Sequence, residues 1–340
     1  MKLNMFRHNQ IRLPQGQTSA ILTLLLIASL AILVLPASSG AKDWPTKTIS
    51  LIVPWAVGGA VDLSARVLAP QLSKILEVPV QVVNKPGGSG IAGTLEAVKA
   101  PPDGHTLLMD CNGTSSIQEA WGEKLPYRVE ERTYIARVTA AIVVLLVPGS
   151  SPFKTMEDVV KAIRENPAGI NFGNIGGTGV PDAALAQFRA ALTARGIDFS
   201  KIRLVTYKGS GETLLAVAGG HLSASMTTIG GTQPFLDAGK IRALAVTSAQ
   251  RYKHWPTVPT MIELGYPSVN MFFWAGLSGP PGIPANIVKI LENAARQVDA
   301  VPEVVEKLDK TGLEPFYLPA DDYRKFVLNE AITLKALKLR

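Results

Sequence analysis

The sequence predicts a two-lobed α/β protein in which each lobe is a sheet flanked by helices. Two observations carry this expectation. Short β-branched apolar runs alternate with segments of helical periodicity, the pattern of a parallel sheet covered on both faces. A strand–glycine loop–helix unit also occurs in each half of the chain, and Pro148-Gly149-Ser150-Ser151-Pro152 stands between the halves as a break. Late apolar runs return toward the first half, so crossing strands near Val138–Val147 and Ile241–Thr247 are expected to join the lobes.

The elements follow in order. Ile49–Val53 is short and β-branched enough for a buried strand, and Pro54, which lacks an N–H, ends it. Gly58 and Gly59 allow a tight turn with close backbone approach. Asp62 and Ser64 suit a helix start, and Leu63, Val67, Leu68 and Leu72 recur at helical spacing. Such a unit aims free N–H groups and the positive end of a helix dipole at one point, which suits a carboxylate or a phosphate. Val78–Asn84 reads as a second strand, Lys85–Gly90 as a loop, Thr94–Lys99 as the opening of a helix and His105–Met109 as a third strand. Tyr134–Val147 is long and apolar. Past the break, Met156–Arg164 is expected to be a helix capped by Thr155, Ile170–Phe172 a strand, and Gly173–Gly179 a second glycine loop. A helix over Pro181–Ala194 follows, with proline in its first turn. Lys201–Tyr207, Leu222–Thr228 and Ile241–Thr247 read as strands, and Glu212–Ala218 as a helix stopped by Gly219-Gly220. From Pro256 the composition turns proline-rich and no element is assigned.

Composition narrows the function. The net charge is +7, and three of its basic residues, Lys2, Arg7 and Arg12, precede an apolar run from Ala20 to Leu35. Residues 1–41 read as a secretory signal peptide cleaved near Ser39–Ala41, because the run is shorter than the ~20 residues of a membrane span. An uncleaved anchor is the alternative. The remaining basic surplus is mild and no Lys/Arg-rich block occurs, so nucleic-acid binding has little support. Cys111 is the single cysteine and reads as a small buried apolar residue, so no intrachain disulfide is possible.

Catalytic motifs are missing. Gly88–Gly93 spells GxGxxG, but Lys85-Pro86-Gly87 separates it from the strand that a dinucleotide fingerprint must follow directly. His105, His221 and His254 show no metal-ligand spacing and read as surface or hydrogen-bonded loop residues; no CxxC or GxSxG occurs. Hence no cofactor, no metal site and no catalytic residue are expected. What remains is a set of neutral, backbone-rich loops: Pro54–Asp62, Asp110–Ser116, Gly173–Asp182, Tyr207–Gly211 and Met226–Gly231. Their N–H and O–H donors can hold a carboxylate in a cleft outside the carboxyl ends of strands.

Several motifs carry a resemblance to a known family. Pro54-Trp55-Ala56-Val57-Gly58-Gly59-Ala60-Val61-Asp62, with Ala65-Arg66, is similar to a PF-x-PGG-x-x-D-x-x-AR pattern. Asn84–Gly90 resembles N-[RK]-PG-x-GG, and Pro102–Leu108 resembles PDGYTLL. Tyr207-Lys208-Gly209, Gly219-Gly220, Ala238–Thr247, Val258-Pro259-Thr260, Trp274–Leu277 and Pro281–Pro284 follow in the same order. Together they resemble the periplasmic solute-binding subunit of tripartite tricarboxylate transporters, the Bug receptors, over nearly the whole chain after the leader.

The resemblance implies a type II periplasmic-binding-protein-like fold with two hinge strands, and lobes of residues 42–140 with 248–340 and 141–247. It implies an exported, periplasmic, monomeric receptor that takes an organic carboxylate and passes it to membrane permease subunits. A ligand-dependent signalling partner or an exported α/β enzyme are the alternatives. Carried over residue by residue, the ligand-binding positions are Trp55, Val57, Gly58, Gly59, Asp62, Asn112, Thr114, Gly177, Thr178, Gly179, Tyr207 and Thr227. Val57 stands where the pattern has proline. Val180 and Ala183 replace a small hydroxyl residue and a histidine, and Ser223 and Thr227 replace aspartates. A more apolar pocket without those acids would suit a larger or aromatic carboxylate.

Overall fold

The computed structural model describes residues 44–337 apart from Glu123, Thr178 and Lys208. The expected leader, its cleavage site and Thr178 of the second glycine loop lie outside the described residues.

The chain forms β1 (Ile49–Val53), α1 (Ala60–Leu76), β2 (Val80–Asn84), α2 (Ile91–Val98), β3 (Thr106–Cys111), a 3₁₀ turn at Asn112–Thr114, and α3 (Ser116–Trp121). After β4 (Thr133–Pro148) come α4 (Met156–Glu165), β5 (Asn171–Asn174), α5 (Val180–Thr193), β6 (Arg203–Thr206), α6 (Ser210–Ala218) and β7 (Ala224–Thr228). Then follow α7 (Gln233–Asp237), β8 (Ile241–Val246), β9 (Phe272–Gly279), α8 (Ala285–Asp299), α9 (Pro302–Lys310), β10 (Glu314–Pro319) and α10 (Ala320–Lys335). The expected elements recur with ends shifted by a few residues, as hydrogen-bonded boundaries usually do. Thr155 caps α4 as its sequence position suggests: its Oγ1 accepts from the Asp158 N–H at 3.2 Å, and Asp158 accepts in return from the Thr155 N–H at 2.9 Å.

The fold is the two-lobed α/β type expected, and β4 is its spine. All but the first of its sixteen residues are buried, because neighbouring strands and helices cover it on both faces. Its first part, through Ile142 opposite Phe272, pairs with β9. Its second part, from Val143 opposite Thr228, pairs with β7. Around these lie two parallel sets. β1 pairs parallel with β2 and β3, and β5 with β6 and β7. β10 adds to the first part of β4 and β8 to the second. The chain returns from β8 to β9 through residues 247–271, with the Thr247 N–H donating to the Val143 carbonyl at 2.9 Å.

Strand directions decide where the loops meet. β9 runs antiparallel to both β3 and β4, so β3 points the same way as β4. β7 runs antiparallel to β4, and β5 and β6 follow β7. The carboxyl ends of the two sets therefore point toward each other along β4. Cys111, the last residue of β3, lies opposite Ala275, which lies opposite Thr139. Thr228, the last of β7, lies opposite Val143. Those two registers are four residues apart, roughly 13 Å along an extended strand.

Candidate ligand-binding site

The first loop is shaped by one buried carboxylate. Asp62 is the third residue of α1 and is fully buried. Its Oδ2 accepts from the Gly58 N–H at 2.9 Å and from Arg66 Nε at 2.9 Å, while Oδ1 accepts from Asn84 Nδ2 at 2.8 Å. Asn84 also donates to the Trp55 carbonyl at 3.1 Å, so the loop is clamped at both ends. Burial pushes the Asp62 pKa up, but the bonds from Arg66, Gly58 and Asn84 outweigh it and hold the group below the usual carboxylate range. Gly58 takes φ +89°, a left-handed conformation that favours glycine. Gly59 is the cap residue of α1, and no side chain caps that helix end. Val57 is 70% exposed at the loop tip.

The second loop repeats the device. Asp182 is the third residue of α5; it accepts from the Ile175 N–H at 2.9 Å and from the Gly179 N–H at 3.2 Å. Gly176 and Gly177 have φ of +89° and +85°, and Gly179 is the cap residue. Val180 and Ala183 are buried in the first turn of α5. α6 opens with the same residue spacing, Gly209 as the cap and Glu212 as the third helical residue. The Tyr207 N–H donates to the Asn174 carbonyl at 2.9 Å, which brings this segment beside the second loop.

The loop after β3 is built differently. Asp110 is buried and accepts from Thr114 Oγ1 and Ser115 Oγ at 2.7 Å and from Arg132 Nη1 at 3.0 Å, in an ion pair with no exposure on either side chain. Thr114 is held by this cluster. Asn112 is equally committed: its Oδ1 accepts from the Trp274 N–H at 2.8 Å, and its Nδ2 donates to the Phe272 carbonyl at 3.2 Å and to Glu330. Cys111 is a buried free thiol, as expected, with a pKa pushed up to about 11 by burial and by the charge of Asp110. A Cβ at Gly90 would meet Thr114 Cγ2 at 2.7 Å and the Trp55 ring at 3.3 Å, so these three residues pack together.

Among the described residues, Asn174 Oδ1 and Thr227 Oγ1 are buried without a hydrogen-bond partner. Both lie at or next to strand ends, where a ligand or water could satisfy them. Ser223 is the exception among the expected pocket differences. It lies at the amino end of β7, its Oγ accepting from the Asn171 N–H at 3.1 Å, and Thr228 ends the strand at the other side. At that end its side chain ties the amino ends of β7 and β5 together, away from the carboxyl ends where the loops lie. Of the histidines, His105 is buried at 8% exposure and its Nε2 accepts from the Thr46 N–H at 3.3 Å. His254 is exposed and contacts Asp309 at 2.9 Å.

The chemistry available is neutral donation from backbone amides at helix amino ends, with fixed partial positive charge. Asn84, Asp110, Arg132, Asp182 and Glu330 hold the loops but were not singled out from the sequence as site residues. A signal existed for two of the loops: Gly59-Ala60-Val61-Asp62 and Gly179-Val180-Pro181-Asp182 share a Gly-x-x-Asp spacing, the capping-box interval with glycine as cap.

Comparison with known proteins agrees with this architecture. A family model described as the tripartite tricarboxylate transporter family receptor matches residues 64–338. The protein BugT of Bordetella pertussis is 30% identical over 299 residues, covering 86% of this chain and 89% of BugT. Among solved structures, a Rhodopseudomonas palustris protein with adipate superposes with a TM-score of 0.76 at 26% identity, over 87% of this chain and 99% of that one. MatC from the same organism, with bound malate, gives 0.72 at 26% identity, over 86% and 99%.

Proposed function

Because the chain belongs to the tripartite tricarboxylate transporter receptor family, we propose that it captures an organic dicarboxylate in the cleft between its lobes and delivers it to a membrane permease. The observation that carries this reading is the pair of glycine loops, each stapled by the acid at the third position of its helix, opening from strand ends that face each other along β4. Each loop takes one carboxylate of the ligand. Malate in MatC and adipate in the R. palustris relative support that ligand class.

In this reading Trp55, Val57, Gly58, Gly59, Gly177, Thr178, Gly179, Tyr207 and Thr227 face the ligand. Asp62, Asn112 and Thr114 hold the loops, since their polar atoms are already engaged within the protein. The lobes are residues 42–140 with 248–340, and 141–247; the protein is exported to the periplasm, acts as a monomer and catalyses no reaction. Exposed Val57 and the apolar Val180 and Ala183 bias the cleft toward longer or aromatic-bodied acids over small hydroxy acids. Calorimetry with malate, adipate and an aromatic dicarboxylate tests this, together with mass spectrometry of whatever co-purifies. Tightest binding of adipate or the aromatic acid is expected. Tight binding of only small amino or hydroxy acids would sink the chain-length preference, and turnover of any ligand by mass would sink the receptor reading.

A further inference from the structure

The second glycine loop rises from a side chain that the protein itself leaves unused. Asn174 is the last residue of β5, and the loop 175–179 departs from it. Phe172, two residues earlier and so on the same face of the strand, packs its ring against Phe188 of α5 with centroids 6.5 Å apart. Asn174 therefore projects on the face that α5 covers, the side on which the loop turns into that helix. Its register partner on β6 is Thr206, and a Cβ at Gly176 would meet Thr206 Cγ2 at 3.6 Å, so the loop passes over this pair of strand ends. The backbone carbonyl of Asn174 accepts from the Tyr207 N–H at 2.9 Å. The side chain is idle by contrast. Its Oδ1 is shut away from solvent without a partner, and among the described residues Nδ2 makes no hydrogen bond, although the residue as a whole is only half-buried. Asparagines at the ends of the first lobe's strands do spend their amides: Asn84 Nδ2 donates to Asp62 at 2.8 Å and Asn112 Nδ2 to the Phe272 carbonyl at 3.2 Å.

Resting on the receptor reading above, we propose that Asn174 is a specificity-determining residue of the second loop: its Nδ2 donates to the ligand's second carboxylate, so that the receptor prefers a dicarboxylate to a monocarboxylate of equal length. The loop's donor inventory gives the reason. The Ile175 and Gly179 amides are spent on Asp182, at 2.9 and 3.2 Å, and Pro181 has no N–H. A carboxylate offers about four acceptor positions, more than the depleted backbone of this loop is placed to fill. An amide NH₂ at the base of the loop supplies a donor without adding charge, and no internal bond holds the Asn174 amide against turning toward an incoming acceptor. Polar groups that are buried are as a rule bonded, so an amide with neither end bonded at the foot of a ligand loop marks a bond made to the ligand.

The test uses the full chain after leader removal, titrated by calorimetry with adipate and with hexanoate, whose carbon chains are equally long and which differ by the second carboxylate. Asn174→Leu keeps the size of the side chain and removes its donors. Its preference for adipate over hexanoate is expected to fall about tenfold, the value of a hydrogen bond to a charged group, while hexanoate affinity hardly changes. Asn174→Asp keeps the shape and sets a negative charge against the ligand, so adipate affinity should fall about a hundredfold. Both variants are expected to melt at the wild-type temperature without ligand, because no internal hydrogen bond is lost, and to lose most of the upward shift that adipate gives wild type. A structural role would do the reverse, lowering the ligand-free melting temperature and weakening both acids alike, and that result overturns the proposal. An adipate-to-hexanoate preference unchanged in Asn174→Leu, or absent from wild type, overturns it too and leaves the receptor reading standing. Wild type that binds no carboxylate at all overturns the receptor reading and the proposal with it.

Discussion

Gly58 is a proposed ligand contact outside the core. Its φ is +89°, and a Cβ built there would meet no atom within 4 Å, so a side chain strains the backbone but displaces nothing. Gly58→Val is expected to lower stability by about 1–2 kcal/mol, the ordinary strain of a left-handed β-carbon residue, and to weaken carboxylate binding at least tenfold because the side chain enters the ligand's space. Calorimetry on a variant shown to be folded decides it, and wild-type affinity would remove Gly58 from the site. Two acids titrate in opposite senses. Asp62 sits below the usual carboxylate range, so its stabilising contribution is full above about pH 4 and is lost as pH falls through the folded value. Asp299, buried on α8, is pushed up to about 8 by burial, which the Phe316 backbone amide only partly offsets. The folded state therefore binds a proton the unfolded state has released, and stability falls as pH rises from about 4 toward 8. Asp299→Asn removes that slope: its melting temperature should drop less than that of wild type between pH 5 and pH 9, and equal slopes would refute the assignment.

At the scale of elements, a shared device stands out at the openings of α1 and α5: glycine at the cap and an acid at the third position that accepts backbone N–H groups behind it. α4 uses the same third-position acid with Thr155 as cap, but it follows the far end of β4, away from the carboxyl ends of β3 and β7. This pairing gives a controlled comparison. Asp182→Ala and Thr155→Ala should each lower stability by about 1 kcal/mol, the usual value of a cap. Only Asp182→Ala should weaken carboxylate binding, because only its loop lies at the cleft; equal binding losses, or none, would contradict that. The helix starts were legible since Gly-x-x-Asp and Thr-x-x-Asp are local signals. The C-terminal elements were readable in principle. α8 places Ile287, Leu291, Ala294, Ala295 and Val298 on its buried side and α10 places Tyr323, Val327, Ala331 and Leu334, both at helical spacing. The proline-rich segment ahead of them obscured that periodicity. β9, Phe272–Gly279, is buried at all but its first residue and so lacks the alternation that marks a half-exposed strand.

At the scale of the molecule, β4 passes from one sheet to the other at Ile142–Val143, and this crossing with the return through residues 247–271 is where a closing motion would bend. Saturating adipate should reduce the radius of gyration measured by X-ray scattering, and an unchanged radius at saturation would count against hinge closure. The sequence by itself determined most elements up to Thr247, the glycine loops and their local caps, because each depends on residues within a few positions of one another. It also carried the family's motif order from Pro54 to Pro284. Only the tertiary structure decided which loops share a face, because that depends on β9 running antiparallel to both β3 and β4 and on β7 running antiparallel to β4. It likewise decided that Ser223 ties the amino ends of β7 and β5, that Thr114 is held within the protein, and that Asn112 is held by β9 and by Glu330, more than one hundred and fifty residues away in sequence. Contacts of that separation follow from strand order and register, and no local spacing encodes them.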